Sequence, residues 1–339
     1  MQDLHTLQGK TIGVIYTFEG ENAPGFTHYH IWKSDIVSQW LMAIQQLHCR
    51  PFILDVRTFV EKAIAGTLPK LDCVINLNCG GCELSPMALI PSLCSFFKIP
   101  CIPCNAVSIL TGENKKISNL IAESVGLNVP KELPSNVKQG FFRPLNLGSS
   151  LGTKKGPLTG DEPKGLYQEF IQGYDITTPI VYNPMLDSFD FLPTVVYIPE
   201  KENTNWYLGE THKESRDGFK RQTIFHLSEE LKKKYLKLIE SMDISTFCRI
   251  DARIKCVYSK DFQDIIQHPL KLNDIYFIEI NPMPTVWTNN AFSHSFSKIN
   301  EENSFYPYIR LLKNVIIDVN VYNFLLSISM LAFYSHVKK

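Results

Sequence analysis

Cys248-Arg249-Ile250-Asp251 and Phe277-Ile278-Glu279-Ile280-Asn281-Pro282 are two short apolar runs, each with the residues of a strand, and they decide the fold. Side chains two apart on a strand share a face, so Glu279 and Asn281 project together. Asp251, Glu279 and Asn281 then offer three hard oxygen donors on adjacent strand segments. Carboxylates gathered on one sheet face repel unless a cation joins them, and Mg²⁺ takes a few such oxygens together with substrate phosphates. A buried ion-pair network among Arg249, Asp251 and Glu279 is the other arrangement these residues allow.

Upstream, the chain alternates between strand and helix signals. Thr11 to Thr17, Pro51 to Val56, Leu71 to Leu77 and Ile99 to Ile102 read as strands. Ser34 can cap a helix with Ile36, Val37, Trp40, Leu41, Ile44 and Leu47 at helical spacing, and a further helix spans Pro86 to Phe97. This rhythm predicts a parallel sheet with helices on both faces, and ligands at the carboxyl ends of its strands. From about residue 135 the strand signals crowd together: Gly140 to Pro144, Leu166 to Ile171, Ile176 to Tyr182 and Phe191 to Ile198 predict a small antiparallel sheet. Glu200 to Phe225 is polar and aperiodic and reads as a long functional loop. A helix over Ser228 to Met242, strands over Thr246 to Val257 and Ile275 to Ile280, and a helical carboxyl-terminal region complete the chain.

The 339 residues suit two or three layered modules. Lys and Arg number 34, as do Asp and Glu, so no overall field favours nucleic acid or an anionic membrane. The first ten residues lack the apolar core of a signal peptide. Val315 to Val337 is apolar but interrupted by Asp318, Asn320, Asn323, Ser327 and Ser329, which predicts a buried helix and not a span. The expectation is a cytoplasmic protein without nucleic-acid or membrane partners. Most of its 9 cysteines would be reduced thiols, with Cys49, Cys73, Cys94, Cys248 and Cys256 packed as small hydrophobes.

Arg249-x-Asp251 followed by Glu279-x-Asn281 resembles the metal-binding end of D-alanine–D-alanine ligases, a branch of the ATP-grasp family. Arg143-Pro144-Leu145-Asn146-Leu147-Gly148-Ser149-Ser150-Leu151-Gly152 resembles that family's phosphate loop, with Arg143 where the family has Lys. Read alone, the same stretch could be a plain Gly/Ser turn. The resemblance implies an ATP-grasp fold with an amino-terminal parallel α/β domain (1–107), a central β-rich lid (108–185) and a carboxyl-terminal α+β domain (186–339). It implies that Asp251, Glu279 and Asn281 hold two Mg²⁺ ions on ATP, and that Arg249 stabilises the charged acyl species. Lys115, Arg143, Ser149, Ser150 and Gly152 would hold the phosphates. Gln168, Glu169, Phe170 and Ile171 would meet the adenine, Asp175 the ribose, and Lys213 the γ-phosphate. Outside the resemblance, Lys115 is a helix-start lysine and Asp175 a turn residue.

The substrate side departs from the pattern. The family's ammonium-binding Glu has only loose counterparts here, Glu19 or Glu21. The third strand ends Asn76-Leu77-Asn78-Cys79-Gly80-Gly81-Cys82-Glu83, with Asn78 in place of a His and Glu83 as a further substrate candidate. Thr285 replaces an oxyanion-binding Gly, while Ser293 and Ser295 match the stretch that holds the second substrate's carboxylate. Cys79-x₂-Cys82 and Cys101-x₂-Cys104 have zinc spacing, but plain buried or loop thiols are the favoured reading, with a redox pair as a third. The expected activity is ATP-dependent amide formation between amino-acid or dipeptide substrates through an acyl phosphate, by a monomer or homodimer. Two alternatives stand beside it: an authentic D-alanine–D-alanine ligase, and a non-catalytic descendant that binds nucleotide or zinc.

Overall fold

β1 (Thr11–Tyr16) is the organising strand of the amino-terminal part. In the computed structural model, which describes residues 4–17, 34–78, 84–201, 203–215, 217–224, 226–256, 259–286 and 290–336, it pairs in parallel with β2 (Arg50–Asp55) and β3 (Cys73–Leu77). β4 (Cys101–Ile102) lies beyond β3, giving the expected parallel sheet in the order β2-β1-β3-β4. The connecting helices are α1 (Ser34–Gln46), α2 (Val56–Ile64), α3 (Leu84–Met87) and α4 (Leu89–Phe96). In α1 the expected apolar stripe is buried at Ile36, Val37, Trp40 and Ile44. The single helix expected over 86–97 is divided at Ala88. Pro91 has no N–H to return to the Met87 carbonyl, and its ring crowds that carbonyl. Asn105 caps α5 (Ala106–Gly112) and Asn114 caps α6 (Lys115–Ser124), each side chain accepting backbone N–H bonds of the first turn.

The small sheet expected over 140–198 is in fact divided between two sheets. β5 (Phe141–Pro144), β6 (Lys154–Lys155) and β7 (Gly165–Gln168) form a three-stranded antiparallel sheet. β8 (Gly173–Asn183), β9 (Ser188–Phe191), β10 (Thr194–Pro199), β11 (Phe219–Ile224), β12 (Phe247–Lys255) and β13 (Ile275–Asn281) form a six-stranded one in the order β11-β10-β8-β12-β13, with β9 beside β8. Ten of the 11 residues of β8 are buried, which requires neighbours on both sides and a cover on both faces. The expected loop over 200–225 also differs: it holds α7 (Glu210–Ser215) and β11. β11 reads as polar (Phe-Lys-Arg-Gln-Thr-Ile) because it is an edge strand, where charged residues discourage further pairing.

α8 (Glu229–Ser241), capped by Ser228, presses Leu231, Tyr235, Leu238 and Ile239 into the core under this sheet. α9 (Ser259–Ile266) occupies the charged connection before β13, followed by α10 (Ala291–Phe296), α11 (Tyr306–Lys313) and α12 (Val321–His336). α12 is buried continuously from Val321 to Ala332, so it carries no single apolar face. Two of its polar interruptions are paired: Asn323 Nδ2 donates to Gln46 Oε1 and to the Asp318 carbonyl, and Ser327 Oγ to the Phe324 carbonyl, each at 2.8 Å. Among the described residues no helix is long and apolar enough to cross a membrane.

Candidate functional site

A cavity of about 560 Å³ is lined by the three-stranded sheet on one side and by β8, β12 and β13 on the other. Its floor follows from strand register. Arg249, Asp251 and Arg253 alternate along β12 and so share the cavity face. On the neighbouring strands Asn281 stands opposite Arg249, Glu279 and Thr177 opposite Asp251, and Asp175 opposite Arg253.

A β-bulge makes this floor. β12 and β13 pair Asp251 with Glu279 but Ala252 with Phe277, leaving Ile278 as the extra residue. The extra residue reverses the alternation of β13. Phe277 is therefore fully buried in the core while Glu279, two positions on, faces the cavity. The Ile278 carbonyl accepts Arg143 Nη1 at 2.7 Å. Regular alternation would have put Glu279 on the core face beside Phe277.

Two carboxylates directly across a ladder repel. The site answers with cations. Arg249 grips Asp251 with two bonds, Nε to Oδ1 at 3.0 Å and Nη2 to Oδ2 at 2.8 Å. Thr177 Oγ1 donates to Asp251 Oδ1 at 2.6 Å and Asn281 Nδ2 to Oδ2 at 3.0 Å. Lys115 Nζ lies 3.7 Å from Glu279 Oε2 and donates to the Leu147 carbonyl at 2.7 Å. Burial opposes the charge of Glu279, but Lys115, Lys213, Arg143 and Arg249 outweigh it and hold the carboxyl at about 2. Burial in turn lowers Lys115, Lys213 and Arg143, with Glu279 working against it in each case. The ion-pair network and the oxygen-donor set weighed from sequence thus coexist in one place.

The loop after β5 comes next. Ser149 and Ser150 both adopt left-handed backbone (φ 56° and 61°), followed by Gly152 at φ 64°. Successive backbone N–H groups in a turn such as this can face an anion together. Ser150 Oγ donates to the Leu208 carbonyl at 2.9 Å and accepts Lys213 Nζ at 2.8 Å, so α7 is tied down over this loop. Arg143, Ser149, Ser150, Lys115 and Lys213 all line the cavity.

At the other end, Phe170 and Ile171 line the cavity, and the rings of Phe141, Phe170 and Tyr207 stand 4.8–6.4 Å apart. Gln168 is engaged by the protein at both ends of its amide, accepting Arg143 Nη2 and donating to the Pro130 carbonyl, each at 2.8 Å. Glu169 accepts the Lys131 N–H at 3.1 Å. Asp175 is also held: Oδ1 by Arg253 Nη1 at 2.7 Å, Oδ2 by the Leu208 N–H at 2.8 Å. Arg253 further donates to the Ile171, Gly173 and Trp206 carbonyls and stacks 4.9 Å from the Phe170 ring centre. Sequence reasoning missed Arg253. The signal was present, since it is in phase with Arg249 and Asp251.

The substrate side is differently arranged. Glu19, Glu21, Glu83, Cys79 and Cys82 lie outside the described residues. Asn78 is buried and links strand ends: it accepts Thr17 Oγ1 at 3.2 Å and donates to the Pro86 carbonyl at 2.7 Å. Ser295 is buried against the Pro193 carbonyl, and neither it nor Ser293 lines the cavity. Thr285 does line it. Cys101 and Cys104 are buried in separate apolar clusters. Contact with Cys94 and burial push the Cys101 thiol well up, and burial does the same for Cys104. Among the described residues no three His, Cys, Asp or Glu side chains gather as a metal set. Glu113, also missed from sequence, lines the cavity beside Lys115. Burial pushes its carboxyl up to about 7, Lys115 opposing and Glu279 adding.

No protein-family model matches the chain, and no curated protein matches it in sequence. Solved structures do match in fold. A D-alanine–D-alanine ligase from Bacillus anthracis superimposes with a TM-score of 0.62 at 12% identity, covering 97% of this chain and 99% of that one. The same enzyme complexed with ATP gives 0.62 at 13%, over 97% and 99%. The VanG D-Ala:D-Ser ligase from Enterococcus faecalis gives 0.61 at 13%, over 96% and 100%. At such identities the likeness is one of fold: the chain has the ATP-grasp fold of D-alanine ligases.

Proposed function

We propose that this ATP-grasp chain is an ATP-dependent carboxylate–amine ligase, forming an amide between amino-acid-type substrates. The observation that carries the reading is the bulge at Ile278. It turns Glu279 out of the core to face Asp251 across the ladder, within a ring of Lys115, Arg143, Lys213 and Arg249. Nothing in packing requires that arrangement, whereas a Mg²⁺-bound polyphosphate would use both its carboxylates and its cations. The fold of the ATP-complexed ligase from Bacillus anthracis adds support.

The donor set fits Mg²⁺: two carboxylates face one another, and Asn281 adds an amide oxygen on the same face. Bound there, the metal would neutralise phosphate charge, and Asp251, Glu279 and Asn281 would be its ligands. Lys115, Arg143, Ser149 and Ser150 hold the triphosphate. The substrate carboxylate oxygen bonds to the γ-phosphorus and ADP leaves. Arg249, fixed by Asp251, meets the charge that develops when the amine nitrogen bonds to the acyl carbon. The carbon–oxygen bond to phosphate then breaks, and phosphate and a proton are released. α7, tied to the phosphate loop through Lys213 and Ser150, keeps water from the acyl phosphate.

ADP release with and without Mg²⁺, assayed over single L-, D- and β-amino acids and their pairs, tests the reading. Mg²⁺-dependent release stimulated by amino acids is expected. Absence of turnover across the panel overturns it. Fast turnover with D-alanine alone assigns the chain to D-alanine–D-alanine ligation.

A further inference from the structure

Glu113 lines the cavity where α5 meets the end of β13. Gly112 lets α5 approach the end of β13: a Cβ there would stand 2.9 Å from Pro282 Cγ and Cδ. That close approach sets the next residue, Glu113, beside the Lys115–Glu279 group. The other cavity carboxylates are held, Asp251 by Arg249, Asp175 by Arg253, Glu279 by Lys115 and Glu169 by the Lys131 N–H. Glu113 differs: among the described residues no hydrogen-bond donor or ion-pair partner reaches its carboxylate, and Lys115 is committed to Leu147 and Glu279. A half-buried carboxylate without a partner is costly, and a ligand cation removes the cost. Asp251, Glu279 and Asn281 already supply the oxygen donors for Mg²⁺, so the cation left for Glu113 is an ammonium.

The neighbouring wall is apolar. Met87 and Met283 pack on one cluster with Ile109 and Cys104 and both face the cavity, as do Ile36 and Pro284. Methionine side chains adapt to apolar partners of varied shape. We infer that Glu113 anchors the ammonium of an amino-acid substrate whose apolar side chain, larger than that of alanine, lies against Met87 and Met283. This rests on the ligase reading above and adds the class of substrate to it.

Calorimetric titration of the full chain tests the inference. The protein is first titrated with a non-hydrolysable ATP analogue and Mg²⁺. The nucleotide-loaded protein is then titrated with the enantiomers of methionine and of alanine, and with 4-(methylthio)butanoate, which is methionine without its amine. One methionine enantiomer is expected to bind at least tenfold more tightly than alanine and than the amine-free acid. Glu113→Gln should weaken methionine by roughly ten- to a hundredfold, the loss expected of one hydrogen bond to a charged group, and leave the amine-free acid and the nucleotide unchanged. Met87→Ala, which spares Glu113, should narrow the gap between methionine and alanine. Failure of the nucleotide to bind the wild-type protein overturns the ligase reading itself. Nucleotide binding with no preference for methionine over the amine-free acid overturns the subsite alone. So does a Glu113→Gln protein that keeps that preference, or a Met87→Ala protein that keeps the full preference over alanine.

Discussion

Replacing Glu113 by Gln should stabilise the protein above neutral pH and leave it unchanged in mild acid. The carboxyl is raised from its ordinary 4.5 to about 7 by burial. A carboxyl raised in the folded chain binds its proton more tightly there than in the unfolded chain. Its stabilising contribution is therefore complete below 4.5 and is lost as pH climbs through 7. Each pH interval of one between the two values is worth about 1.4 kcal/mol, so the wild-type chain should lose up to roughly 3 kcal/mol, less what solvent screens at this half-buried group, relative to Glu113→Gln between pH 4.5 and 8. Glu279 works in the opposite direction, but in a different window. Held at about 2, it contributes stability above 4.5 that is lost only as pH falls toward 2. Urea midpoints and slopes for both proteins, taken from pH 4.5 to 8, give the difference directly, because titrations distant from Glu113 cancel. A difference flat to within about 1 kcal/mol would refute the burial argument. A difference that closes when the methionine enantiomer and nucleotide are present would tie the cost to the ligand that removes it. Stability given up at a binding site is a common feature of functional clefts.

Three further outcomes follow from the same geometry. Asp251→Asn leaves Arg249 without its bidentate partner and should lower Mg²⁺-dependent ADP release by at least about a hundredfold, while calorimetry still detects nucleotide; near-normal release would refute its role. Arg253→Met strips Asp175 and three backbone carbonyls of a buried donor and should cost about 3–5 kcal/mol in urea unfolding; a loss under about 1 kcal/mol would show that the clamp is not structural. Gly112→Ala forces a Cβ to within 2.9 Å of Pro282 and should cost about 1–3 kcal/mol by thermal unfolding, with methionine affinity falling alongside; an unchanged melting point contradicts the close packing of α5 on β13.

The parts of this site that could be read from sequence are those carried by a simple period. Arg249 and Asp251, and Glu279 and Asn281, share faces because they are two apart, and register brings the pairs opposite one another. The bulge at Ile278 was invisible, because nothing in Ile-Tyr-Phe-Ile-Glu-Ile-Asn marks where alternation reverses. Arg253 shares the phase of Arg249 and Asp251, but its clamping role depends on partners at residues 171–175 and 206 that only the fold brings to it. Glu113 reads as a polar residue between two short helices, and only the approach allowed by Gly112 gives it a position. β11 reads as loop because an edge strand resembles one in composition, and α7 because it is a short polar helix. α12 was legible from its length and apolar content, although burial on all sides removes its periodicity.

The central claim is that a substrate carboxylate is activated by transfer of the γ-phosphoryl group on the Asp251–Glu279 floor. Turnover of an amino-acid substrate labelled with ¹⁸O in its carboxylate, followed by mass analysis of the released phosphate, tests it most directly. If the carboxylate oxygen bonds to phosphorus and the carbon–oxygen bond later breaks, each phosphate carries one labelled oxygen and one amide forms for each ADP. Phosphate free of label, its new oxygen drawn from water, would contradict the account.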